Sequence, residues 1–136
     1  MIENSENKEN QKLNDEDLEI HFYEGILKSR PDFLQAMSAL ADLYTKKGWY
    51  QKGLELDKKL AQKRPEDPVI LYNLACSYSL VGEIDKAFSV LKLAVQSGYD
   101  DFKHLEDDLA LTNLRKDTQF QTYFEQTKKK ISETEN

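Results

Sequence analysis

Cysteine, histidine and long apolar runs are all scarce in this chain, and each scarcity removes a class of protein. With one cysteine, Cys76, no intrachain disulfide can form. The two histidines, His21 and His104, stand at no ligand spacing from it, so a zinc scaffold is excluded and no metal or other cofactor is expected. At 136 residues the chain can bury a core without such staples. No apolar stretch approaches the roughly 18 residues that span a bilayer, so membrane insertion is not expected. The start, Met1 to Asn10, is polar and acidic where a secretory signal needs basic residues and then an apolar run, so the expected compartment is the cytoplasm. Only five glycines occur, scattered rather than gathered into a phosphate-cradling loop. No serine or cysteine is tied to a histidine by a nucleophile motif. The chain is therefore read as non-enzymatic.

Charge is plentiful but of the wrong sign for nucleic acid. A net charge of -6 argues against binding a phosphate backbone. It is unevenly spread: Lys46, Lys47, Lys52, Lys58, Lys59, Lys63 and Arg64 precede the acidic group Asp100, Asp101, Glu106, Asp107 and Asp108. The simple reading is a solvated helix face with mixed ion pairs. An acidic partner for the segment Lys46 to Arg64 stays open.

What the sequence does contain is a repeat. Shifted by 34 residues, Pro31 falls on Pro65, Leu40 on Leu74, Ala41 on Ala75, Tyr44 on Tyr78 and Gly48 on Gly82. Met37, Leu40, Ala41 and Tyr44 recur at i, i+3, i+4 and i+7, which makes one buried stripe of a helix. Gly48 and Gly82 follow the last helical residues, where a left-handed backbone ends a helix at no cost to glycine. Second helices then start near Tyr50 and Ile84. They run towards Lys63 and Ser97, and Pro31 and Pro65 stop such helices. Each unit is a helical hairpin.

These residues resemble the tetratricopeptide repeat. Leu71 to Tyr78 with Gly82, Ala87 and Ala94 is a close match, whereas Gly53, Asp57 and Leu60 stand where the family favours Ala, an aromatic residue and Ala. The resemblance implies an all-α fold, a right-handed α-α superhelix (a TPR solenoid) of antiparallel helical hairpins closed by a C-terminal helical cap. The expected organisation is a disordered acidic tail at 1–13, a half-repeat helix at 14–31, repeats at 34–65 and 68–99, capping helices at 101–130 and a frayed tail at 131–136. The half-repeat is carried by Ile20, Phe22, Tyr23, Ile26 and Leu27. The cap resembles the terminal Asp-Leu-x-x-Leu-Arg-x-Asp-x-x-Phe segment of such proteins, here Asp108 to Phe120 without the prolines that often follow each Asp.

The resemblance also implies a function: holding a peptide or helix of another protein in a groove lined by the first helices of the hairpins. Gln35, Ser38, Asp42 and Thr45, then Val69, Tyr72, Asn73, Cys76, Ser79 and Leu80, are expected to face it. The alternative is that Val69, Tyr72 and Leu80 are covered by the C-terminal helices. Family members that clamp a chaperone's terminal carboxylate use Lys and Asn where Ser38 and Asp42 stand. Asn73 fits that pattern, but the acidic surroundings disfavour it. Trp49 reads either as an interface anchor or as a packed turn residue. A homodimer is possible, and a small, acidic, client-shielding chaperone of the secretion type is the competing function.

Overall fold

The structure is a computed structural model and describes residues 3–134, with side chains from Asp15 onward. Its helices are α1 (Glu3–Ser29), α2 (Leu34–Lys46), α3 (Tyr50–Lys63), α4 (Pro68–Leu80), α5 (Ile84–Gln96), α6 (Phe102–Asp107), α7 (Thr112–Arg115) and α8 (Thr118–Thr134), with a 3-10 turn at Leu109–Leu111. No strand occurs among the described residues. The chain divides into two compact units, Met1–Leu60 and Ala61–Asn136.

In the first unit, α1 shows two apolar stripes. Ile20, Tyr23 and Leu27, at i, i+3 and i+7, pack with Leu40, Leu43 and Tyr44 of α2 and Leu56 of α3. Leu18 and Phe22, on another face, are 65% and 62% exposed. α1 begins at Glu3, inside the stretch read as a tail. No Gly or Pro between residues 3 and 13 interrupts a helix growing back from the packed part. Met1, Ile2 and the side chains up to Asn14 lie outside the described residues.

α2 ends in a Schellman motif. Gly48 takes φ +80°, its N–H donates to Thr45 O at 3.0 Å, and Trp49 N–H donates to Tyr44 O at 2.8 Å. The apolar contact that accompanies such an ending is present too, because the Trp49 and Tyr44 rings lie 5.8 Å apart. Gly53, on the next helix, accounts for a departure from the family pattern. A Cβ built there would lie 2.7 Å from Thr45 Oγ1 and 3.4 Å from Ala41 O, so a side chain at 53 would require Thr45 or α3 to shift.

In the second unit, Asp67 caps α4. Its Oδ1 accepts from Val69 N (3.0 Å) and Ile70 N (3.1 Å), and Pro68 takes the first helical position, where its missing N–H costs nothing. The Gly82 turn repeats the Gly48 geometry with φ +84° and Glu83 N–H donating to Tyr78 O at 2.9 Å. Ala75, Ala87 and Ala94 are fully buried. They share one core with Leu71, Leu91, Leu105, Leu111, Leu114 and Phe120, so small residues let the hairpin close while the bulk comes from the C-terminal segment. α8 continues to Thr134, past residue 130 where the capping helices were placed, again with no Gly or Pro to stop it. Glu135 and Asn136 lie outside the described residues.

Candidate partner-binding faces

In the first unit the candidate residues lie along α2. Gln35, Ser38 and Asp42, at i, i+3 and i+7, form one open polar stripe, and all three are exposed. Thr45 is different. It is half-buried, its Oγ1 donates to Ala41 O at 3.0 Å, and it sits against Gly53. Its hydroxyl is used within α2 itself, beside the contact with α3.

In the second unit α4 carries the remaining candidates, and the C-terminal segment reaches several of them first. Tyr72 is buried, stacked on Tyr99 with ring centroids 4.2 Å apart. Its hydroxyl donates to Asp108 Oδ2 at 2.6 Å. Cys76, also buried, donates its thiol to the same oxygen at 3.7 Å. Ser79 is fully buried, its Oγ accepting from Leu114 N at 3.2 Å while its carbonyl accepts from Asn113 Nδ2 at 3.1 Å. These three side chains therefore hold the cap instead of facing an open groove. Val69 is 57% exposed, and Asn73 and Leu80 are half-buried. Of the apolar trio that the C-terminal helices were to cover or leave free, Tyr72 is covered and Val69 is open.

Asp108 is the hub that sequence reasoning undervalued. Besides Tyr72 and Cys76, it caps the 3-10 turn, its Oδ1 accepting from Ala110 N at 3.0 Å, and Oδ2 lies 3.2 Å from His104 Nε2. Arg115 Nη1 donates to the carbonyls of Leu105 (2.9 Å) and Asp108 (2.6 Å), and Asp117 accepts from Phe120 N at 3.0 Å. Most of the recurring residues between Asp108 and Phe120 thus have a physical task, and Leu109, 84% exposed, is the exception. The aspartates cap, the arginine ties the turn, and Leu111, Leu114 and Phe120 fill the core. The signal was in that motif, but the spacing does not say which residues of α4 it would meet. Burial, then the neighbouring Cys76, then the bond to Asp108 push the Tyr72 hydroxyl far above its ordinary pKa. Burial pushes Tyr99 up to about 12.

This arrangement of helices has counterparts among solved structures. MamA 41-end from Desulfovibrio magneticus RS-1 matches with TM-score 0.65 at 17% identity, covering 88% of this chain and 70% of that one. The MamA RS-1 ArsTM double mutant matches with TM-score 0.60 at 18% identity, covering 87% and 70%. The fold is of the tetratricopeptide type. No family model matches the chain. A chloroplastic protein of Arabidopsis thaliana is 35% identical over 86 residues, 61% of this chain and 26% of that protein. The chain thus spans about a quarter of that relative's length.

Within this tetratricopeptide-type fold the turn after α2 is basic and aromatic. Lys52 Nζ lies 5.1 Å from the Trp49 ring centroid and 5.3 Å from that of Tyr44. Lys47 pairs with Asp17 at 2.8 Å. Trp49, 42% exposed, is a packed turn residue with one face open. Among the described residues no group of three or more His, Cys, Asp or Glu is placed to hold a metal, and no helix is long and apolar enough to cross a membrane.

Proposed function

We propose that the chain is a non-enzymatic protein-interaction module that holds a segment of a partner protein against the open faces of its first helices. The observation that carries this reading is the stripe Gln35, Ser38 and Asp42, aligned on α2 and left exposed in a fold of the tetratricopeptide type. A stripe of one carboxylate and two neutral polar side chains suits an extended peptide or a helix with a basic residue opposite Asp42. On the second hairpin the proposal narrows to Val69, Asn73 and Leu80. Tyr72, Cys76 and Ser79 serve the cap there. Val69 would supply an apolar contact and Asn73 a hydrogen bond to backbone.

Affinity capture from the native cell, with wild type beside Asp42→Lys and Val69→Asp, tests the assignment. Both substitutions fall on open surface and should leave the thermal midpoint unchanged, so any lost partner reports recognition rather than unfolding. The expected result is loss of a partner from Asp42→Lys, with at least about tenfold lower recovery than wild type, while Val69→Asp tests the second unit's face separately. Equal recovery of every partner by all three proteins would sink the reading.

A further inference from the structure

The outer stripe of α1 is largely open among the described residues. Leu18 and Phe22 stand exposed on it. Beside Phe22 a shallow groove of about 420 Å³ is lined by Gly25, Ile26, Ser29, Arg30 and Phe33. Large side chains at 18, 22 and 26 alternate with small ones at 25 and 29, the relief into which a second helix interlocks. Isolated exposed apolar residues need no explanation, but a contiguous helical stripe with its own groove does.

Charge along the same stripe specifies what covers it. Glu19 and Arg30 are eleven residues apart, about three turns, and so lie on one edge of the stripe at opposite ends. Neither takes part in an ion pair among the described residues. We propose that this face is the interface of a homodimer in which two copies of α1 pair antiparallel about a two-fold axis level with residues 23–25. In that arrangement Phe22 of one copy seats beside Gly25 and Ile26 of the other. Glu19 of each meets Arg30 of the other, twice per dimer. A parallel pair would put the two copies of this edge on opposite sides of the contact, so that no Glu19–Arg30 pair could form, and the two helix dipoles would also be aligned. A single helix pair is a small interface, so the dimer is weak, with a dissociation constant of about 10 to 100 µM.

Sedimentation equilibrium of the full chain from about 1 to about 300 µM reads this directly, spanning both sides of that constant. Wild type should pass from monomer to dimer. Phe22→Glu should remain monomeric throughout with an unchanged thermal midpoint, since the replaced side chain is already exposed. Glu19→Arg and Arg30→Glu alone should each weaken association about three- to tenfold, through like charges brought together. The double variant Glu19→Arg/Arg30→Glu should return to within about twofold of wild type, because the swap restores the pair across the two-fold axis. A wild-type monomer at every concentration overturns the proposal. So does a dimer indifferent to Phe22→Glu, or a double variant weaker than both single ones.

Discussion

Gly53 and Thr45 give the sharpest residue-scale case, because two opposing effects meet at one atom. A methyl at position 53 gains helix propensity worth up to about 1 kcal/mol. It also drives into Thr45 Oγ1, which lies 2.7 Å from the built Cβ and is itself bonded to Ala41 O. Overpacking of that kind costs about 1 to 3 kcal/mol, so Gly53→Ala should destabilise the chain in urea titration. With Thr45→Ala already present the clash is gone, and the same change should instead stabilise by about 0.5 to 1 kcal/mol. If Gly53→Ala has the same effect in both backgrounds, the close approach of α2 and α3 is wrong. The sequence identified Gly53 as a departure from the repeat pattern, yet not its cause. That cause is a threonine eight residues earlier that uses its hydroxyl inside its own helix.

At the scale of elements, the C-terminal segment is a latch on α4 made of one carboxylate and two stacked tyrosines. Both phenols keep their protons above the usual value near 10, chiefly because burial disfavours the phenolate. The folded chain therefore binds more protons than the unfolded one at alkaline pH, and the contribution to stability is complete below about 10. It declines as pH rises through about 12 for Tyr99 and further still for Tyr72. Thermal midpoints measured across this range should fall from about pH 10 upward. Tyr99→Phe should fall less between about 10 and about 12, since it has no proton to lose. Parallel curves for the two proteins would remove Tyr99 from the latch. The terminal motif was legible in sequence, with Asp108 and Asp117 as caps. The covering of Tyr72, Cys76 and Ser79 was not, because helical periodicity defines which residues share a face and says nothing of what arrives there from 30 residues away.

For the molecule as a whole, the division at Leu60 and Ala61 carries an expectation about cooperativity. In repeat proteins each hairpin depends mainly on its immediate neighbours, so local damage need not spread evenly. Leu114 is fully buried in the second unit's core, and Leu114→Ala should cost about 2 to 5 kcal/mol there. Hydrogen exchange should then show α4 and α5 losing protection well beyond α2. An equal loss in all three helices would mean that the two units open together. The sequence by itself determined the helical hairpins. A 34-residue frame, an i, i+3, i+4, i+7 stripe and a glycine at the left-handed position are local conditions, satisfied by each residue's own size and backbone freedom. Only the tertiary structure decided which face of each helix stays open, because exposure depends on what packs from elsewhere in the chain. Asp108 reaches Tyr72 on α4, Gln35, Ser38 and Asp42 on α2 stay exposed, and so do Leu18 and Phe22 on the second stripe of α1.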